Sequence, residues 1–232
     1  MNRFHTILFD ADGTLLDFHR SEREALKDCL TAFSIPCDEE ILGTYSRIND
    51  EHWKMLERGE ITRGELYVRR FQVLLDTYGF AADATEMHRT YIAALSTKSY
   101  LLDGAYELCL RLHESCRLYI ITNGNARVQH GRFDPCLLQP LFERSFISEE
   151  IGFDKPSKEY FDYVISEIPD FDPSDTLVVG DSLTSDIQGG INAGLATCWY
   201  NPVRKPVPDG MKIDFVVHDF DGVARSILGD SV

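Results

Sequence analysis

Beyond residue 100 the sequence alternates short, almost wholly apolar runs with stretches of helical spacing, a rhythm that leaves few architectures open. The runs are Leu118-Tyr119-Ile120-Ile121-Thr122, Phe146-Ile147-Ser148, Thr176-Leu177-Val178-Val179-Gly180, Ala196-Thr197-Cys198-Trp199 and Phe215-Val216-Val217. Helices are expected over 104–116, 158–168, 184–193 and 221–228. A strand with no polar face is buried on both sides, so these runs belong to a parallel sheet covered by helices. One further run, Thr6-Ile7-Leu8-Phe9 following His5, stands apart near residue 5. The expected fold class is α/β, a Rossmann-like doubly wound parallel sheet.

Between the first run and residue 100 the pattern is helical. Ser21 with Glu24 reads as a capping box, followed by Ala25, Leu26, Cys29, Leu30 and Phe33 at helical spacing. Asp38 can cap a second helix carrying Ile41, Leu42, Tyr45 and Ile48. Thr62 with Glu65 repeats the box ahead of Leu66, Phe71, Leu74 and Leu75, with Gly79 as a stop. Asp83 precedes a fourth helix with Met87, Tyr91, Ile92 and Leu95. The expected organisation is a core domain of residues 1–18 and 98–232, with a helical cap domain, 19–97, inserted after strand 1. The two connections, near Leu16 to Arg20 and Ser96 to Leu101, would be hinges if the cap opens.

A chain of 232 residues, 44% of them hydrophobic, is long enough for such a core and an insertion. Acidic residues outnumber basic ones 38 to 23, for a formal charge of −15, and no short stretch is dominated by Lys and Arg. Nucleic acid and anionic membranes are therefore excluded as expected partners. The six cysteines form no CxxC pair and read as buried thiols, and the seven histidines form no zinc-ligand cluster. No run of eighteen apolar residues occurs, so the expected location is cytoplasmic.

Chemistry concentrates where the apolar runs end. Asp10 and Asp12 follow Phe9, and because successive strand residues face opposite sides, the two carboxylates can address one space while Ala11 turns away. Thr122-Asn123-Gly124 offers a hydroxyl, an amide and backbone N–H groups to an anion. Gly152-Phe153-Asp154-Lys155-Pro156 presents a lysine, and Gly180 leads into Asp181 and, five residues on, Asp186. Singly these are a turn, a loop, a surface charge and a helix cap. In a parallel sheet, however, all fall at the carboxyl edge, where ligands bind.

With those residues in place, the chain resembles the haloacid-dehalogenase superfamily of phosphatases. Asp10-x-Asp12-Gly13-Thr14, Thr122, Lys155-Pro156 and Gly180-Asp181-(x)4-Asp186 match its four motifs in order, and the cap lies where the helical subclass inserts it. The string from Gly180 to Gly190, with Asn192-Ala193-Gly194 and Trp199-Tyr200-Asn201-Pro202, is similar to the noncanonical pyrimidine 5'-nucleotidase branch. The resemblance implies that Asp10 is the nucleophile of an aspartyl-phosphate mechanism and Asp12 the general acid and base. It implies Mg2+ on Asp10, the Asp12 carbonyl and Asp181, with Mn2+ or Co2+ as substitutes. Lys155, Thr122, Asn123 and Gly13 would hold the phosphate, and Asp186 would orient Lys155 or metal-bound water. Phe18, His19, Trp53, Arg63, Arg69 and Arg70 are further candidates for substrate contact from the linker or cap.

The substrate this implies is a small phosphorylated metabolite, in first place a pyrimidine nucleoside monophosphate, handled by a monomer or weak homodimer. A phosphosugar phosphatase or phosphomutase shares the paired aspartates and the cap. A catalytically inactive binding protein is the alternative of another class, disfavoured because no chemical position is replaced.

Overall fold

A computed structural model describes residues 2–229. The chain divides into two compact units, one of residues 1–17, 101–126 and 133–232, the other of 18–100 together with 127–132.

In the first unit, six parallel strands among the described residues form one sheet in the order β3-β2-β1-β4-β5-β6. They are β1 (Thr6–Phe9), β2 (Arg117–Thr122), β3 (Arg144–Ile147), β4 (Thr176–Gly180), β5 (Ala196–Tyr200) and β6 (Phe215–Val217). Every residue of β1 and β4 is buried, as the absence of a polar face in these runs requires. Ile7 and Phe9 pack with Leu118, Ile120, Leu177 and Val179 on one face, and Leu8 with Tyr119, Ile121 and Val178 on the other. Each such side chain stabilises the sheet by about 1.5–3 kcal/mol. The chain builds β1, β2 and β3 toward one edge and then returns to β4 beside β1, so the switch point lies between β1 and β4. Phe9 pairs with both Ile120 and Val179, which brings the residues following β1, β2 and β4 to the same level at the carboxyl edge.

The second unit contains α1 (Phe18–Ala32), α2 (Glu39–Glu57), α3 (Arg63–Tyr78) and α4 (Ala84–Leu95). Asp38 accepts from the Ile41 N–H, Asp83 from Thr85 and Glu86, Thr62 and Glu65 close a reciprocal capping box, and Gly79 ends α3 in a left-handed conformation. The Ser21–Glu24 box does not form: α1 already begins at Phe18, and Ser21 lies buried inside it. The apolar faces meet in one core of Leu26, Leu30, Tyr45, Phe71, Leu74, Met87 and Tyr91. Arg70, a candidate for substrate contact, sits against Tyr91 among the helices of this unit. It is buried, and its Nη1 donates to Asn49 Oδ1 (2.6 Å), whose Nδ2 donates to Glu22 Oε1 (2.8 Å). His19 and Arg69 are exposed, and Trp53 lies 5.9 Å from the Arg63 guanidinium.

The remaining helices are α5 (Ala105–His113), α6 (Ala126–Phe133), α7 (Ser148–Ile151), α8 (Lys158–Glu167), α9 (Gln188–Ala193) and α10 (Phe220–Leu228). The segment expected as one helix over 184–193 is instead a π-turn, Leu183–Ile187, running into α9. The wider turn accompanies the capture of Asp186 by Lys155 and by the Ser182 N–H. Residues 127–132 of α6, a helix the periodicity does not announce, group with the helical unit, where Val128 joins its core and Ser99 Oγ donates to the Arg132 carbonyl (2.7 Å).

Candidate active site

The centre of the site is an ion cluster buried at the carboxyl edge. Asp10 leaves β1 with its N–H on the Val179 carbonyl (2.9 Å), which fixes its side chain over the end of the sheet. Lys155 Nζ donates to Asp10 Oδ1 (2.8 Å), Asp186 Oδ1 (2.6 Å) and the Ile121 carbonyl (2.8 Å), so all three of its protons are given to protein acceptors. Lysine and both carboxylates are buried. Burial alone would lower the Lys155 pKa, but the charges of Asp10 and Asp186 prevail and raise it, keeping the ammonium charged.

One ammonium does not balance this cluster. One carboxylate oxygen each from Asp10, Asp181 and Asp186 lie within 4.8 Å of one another, which leaves two negative charges in excess of Lys155. Burial first, and then Asp186, push the Asp10 pKa well above the ordinary carboxylate range against the opposing pull of Lys155. The same two causes push Asp181 up to about 7. Like charges at such distances repel by about 4 kcal/mol per pair at 4 Å and an effective dielectric of 20. A divalent cation would cancel the excess, and an all-oxygen donor set suits a hard ion such as magnesium.

Two neighbours hold the carboxylates in place. Thr14 Oγ1 donates to Asp10 Oδ2 (2.9 Å) and accepts from the Asp181 N–H (3.1 Å), joining the loops after β1 and β4 through one hydroxyl. Trp199, buried in β5, donates from Nε1 to the Asp181 carbonyl (2.9 Å). Gly13 has φ +86°, and a Cβ there would lie 2.6 Å from Asp181 Oδ2, so this turn accepts no side chain. Gly180 is equally constrained, because its Cβ would meet Asp186 Oδ2 at 2.2 Å. Asp12 is half-buried just beyond, its backbone bridged to Leu16.

The end of β2 supplies the phosphate-facing candidates. Thr122 is 1% exposed, and its Oγ1 has no hydrogen-bond partner among the described residues. A buried hydroxyl left so costs about 1–3 kcal/mol, the kind of debt a bound anion repays. Asn123 is engaged differently from the sequence expectation: its Nδ2 donates to the Lys155 carbonyl (2.8 Å) and its Oδ1 accepts from the Lys155 N–H (2.8 Å). The amide is spent on the lysine's backbone, which leaves the Asn123 main-chain N–H as the group that could face an anion.

Asp10, Lys155, Asp181 and Asp186 are thus gathered at one point, with Gly13 against Asp181, Thr122 at the end of β2 and Asn123 just after it. Thr14 and Trp199 were not assigned roles by sequence reasoning. Thr14 stands in the motif as a quoted letter, and its hydroxyl's two partners become evident only when the two loops meet. Trp199 likewise stands only in a quoted string, and its indole's bond to the Asp181 carbonyl becomes evident only when β5 pairs with β4.

With this geometry established, comparison with known proteins defines the class. The description of haloacid dehalogenase-like hydrolases matches residues 4–194, and the chain belongs to that family. It is an enzyme of the phosphatase type. It is 43% identical over 210 residues to YfnB of Bacillus subtilis, named as a HAD hydrolase, covering 90% of this chain and 89% of that one. The crystal structure of YfnB bound to magnesium superposes with a TM-score of 0.91 at 40% identity over 95% of this chain and 97% of that one. The pyrimidine 5'-nucleotidase PynA of Streptococcus pneumoniae is 38% identical over 84% of this chain and 83% of its own length. The pyrimidine 5'-nucleotidase YjjG of Escherichia coli is 34% identical over 88% and 89% respectively.

Proposed function

We propose that this protein is a magnesium-dependent 5'-nucleotidase that hydrolyses pyrimidine nucleoside monophosphates through an aspartyl-phosphate at Asp10. The observation that carries the reaction class is the Asp10 carboxylate held between the Lys155 ammonium and the Thr14 hydroxyl at the switch point of the sheet. The likeness to the two named nucleotidases supports the substrate class.

In the first half-reaction an Asp10 oxygen bonds to phosphorus while the bond to the ester oxygen breaks, and Asp12 gives its proton to the departing alkoxide. In the second, Asp12 takes a proton from water, the water oxygen bonds to phosphorus, and the bond to Asp10 breaks, returning the carboxylate and inorganic phosphate. Lys155 opposes the rise of the Asp10 pKa, Thr122 Oγ1 and the main-chain N–H of Asn123 donate to the phosphoryl oxygens as charge spreads over them, and Asp186 holds Lys155 in line. Asp10, the Asp12 carbonyl and Asp181 would hold the magnesium ion, whose charge, when bound, cancels the excess at the carboxylate cluster. Residues 19–97 act as a cap that selects the leaving group.

No helix among the described residues is long and apolar enough to cross a membrane, and all six cysteines are free, which supports a cytoplasmic enzyme of small metabolites. The test is a phosphate-release screen with magnesium across UMP, dUMP, dTMP, AMP and glucose 6-phosphate. Preference for the pyrimidine nucleotides is expected. Preference for the sugar phosphate would replace the nucleotidase reading with a phosphosugar phosphatase, and no release from any of them would turn the protein into a binding member of the family.

A further inference from the structure

The loop that carries the phosphate-facing groups runs straight into a helix anchored elsewhere. Thr122 ends β2, and between Ala126 and Arg127 the chain already passes from the first compact unit into the second. The remainder of α6 is closely fixed there. A Cβ on Gly131 would lie 2.5 Å from the Ser96 carbonyl oxygen, and Arg132 Nε donates to the Lys98 carbonyl (3.2 Å). Residues 123–126 therefore need contacts of their own to stay at the edge of the sheet.

Those contacts come from the segment that follows β3. Thr122 pairs with Ile147 in the parallel register, so Ser148 and Glu149 of α7 leave the sheet beside residues 123–126. The Gly124 N–H donates to Ser148 Oγ (3.3 Å), Asn125 Nδ2 to Glu149 Oε1 (3.2 Å) and the Ala126 N–H to Glu149 Oε2 (2.7 Å). Glu149 thus gives one oxygen to a side chain of the loop and the other to the first main-chain N–H of α6, at the last residue before the chain changes units. Bonds to an ionised acceptor are stronger than neutral ones, and a carboxylate is favoured at a helix N-terminus. The strand end held in this way reaches the ion cluster itself. The Ile121 carbonyl accepts from Lys155 Nζ (2.8 Å), and the Asn123 amide closes on the Lys155 peptide.

We propose that Glu149 is a positioning residue of the phosphatase reaction: it pins the head of α6 beside β3, so that the buried Thr122 hydroxyl and the Asn123 N–H stay aimed at the phosphoryl oxygens. The inference rests on the phosphatase reading and adds a residue outside the four motifs, one that acts through the loop and not on the substrate. An ordinary helix cap in the same unit supplies the comparison. Asp219 accepts from the Gly222 N–H (2.7 Å) at the head of α10. Removing either carboxylate leaves a helix N–H without its acceptor, but of the two, Glu149 alone stands behind phosphate-facing groups.

The experiment compares wild type, Glu149→Ala, Glu149→Gln and Asp219→Ala by aryl phosphate hydrolysis with magnesium, thermal melting, magnesium calorimetry and hydrogen–deuterium exchange of the peptide spanning 122–127. Glu149→Ala is expected to lose about 10- to 100-fold in kcat/KM, because misplaced donors no longer meet the charge of the transition state. Its amides at 123–126 should exchange at least about tenfold faster. Its magnesium affinity should be that of wild type, since Asp10 and Asp181 stand on other loops. Glu149→Gln keeps an oxygen for the Ala126 N–H and an amide that can pair with Asn125, so it is expected to recover most of the loss. Asp219→Ala should melt lower, as Glu149→Ala does, with wild-type kinetics. Wild-type kinetics in Glu149→Ala, an equal kinetic loss in Asp219→Ala, or a glutamine variant no better than alanine would overturn the inference. If wild type itself releases no phosphate, the phosphatase reading fails, and exchange still decides on the anchor: unchanged protection at 123–126 in Glu149→Ala rejects it, and a selective loss there upholds it.

Discussion

The side-chain amide of Asn123 closes on the peptide of Lys155 with two hydrogen bonds of 2.8 Å, so the lysine that faces the nucleophile is positioned through its backbone from the neighbouring strand end. Asn123→Ala removes both bonds and leaves the Lys155 N–H and carbonyl to find water. The expected result is a loss of about 1–3 kcal/mol in urea-induced unfolding and a fall in kcat of about 10- to 100-fold with Lys155 itself intact.

Thr14 offers a cleaner test of positioning, because valine preserves its shape and deletes its hydroxyl. Thr14→Val deprives Asp10 Oδ2 of a donor and the Asp181 N–H of an acceptor. Hydrogen bonds to charged groups contribute about 1.5–3 kcal/mol, so a drop in kcat/KM of about tenfold or more is expected, and Thr14→Ser should recover most of it. Equal kinetics for Val and wild type would remove Thr14 from the account.

At Gly13 the constraint is steric. A methyl group would sit 2.6 Å from Asp181 Oδ2 in a backbone conformation of φ +86°. Gly13→Ala is therefore expected to displace Asp181, weakening magnesium binding measured by calorimetry by at least about tenfold while the far-ultraviolet circular dichroism stays that of wild type.

The helical unit carries its own pH signature. Burial raises the pKa of Glu22 above its ordinary 4.5, with the Ser46 hydroxyl opposing. The folded state then holds the proton more tightly than the unfolded state, so the stability this contributes is full below about pH 4.5 and is lost as pH rises through the raised value. Glu22→Gln keeps a carbonyl for the Asn49 amide and has no proton to lose. The mutant is expected to gain stability relative to wild type between pH 5 and 8, whereas Glu22→Ala, which strands Asn49 and Arg70, should lose about 3–5 kcal/mol at every pH. Thermal melts across that range check both.

The sheet was legible in the sequence because its strands are buried on both faces, and a run such as Thr176-Leu177-Val178-Val179 has no other stable use. Asp10, Lys155, Asp181 and Asp186 were legible as a set because each follows an apolar run whose direction the parallel sheet dictates. What remained hidden depends on contacts between loops distant in the chain. The Asn123 amide could equally have faced an anion, since sequence does not say that Lys155 returns to within hydrogen-bonding distance of it. Arg70 was one of several candidates for substrate contact from the linker or cap, and its burial was not legible because the partner that makes it tolerable, Asn49, lies on another helix. Residues 127–132 carry too few apolar positions to announce a helix that groups with the second unit.

The central claim is that Asp10 carries the phosphoryl group. Wild-type enzyme turning over a phosphomonoester with magnesium is quenched with borohydride, which reduces an aspartyl-phosphate to homoserine, and the peptide spanning residue 10 is sequenced by mass spectrometry. Homoserine at position 10, absent without substrate and absent from an Asp10→Asn variant whose turnover has fallen on the order of 10^4-fold, is the result this account requires. Unmodified Asp10 during active turnover, with Asp10→Asn still releasing phosphate, would contradict it.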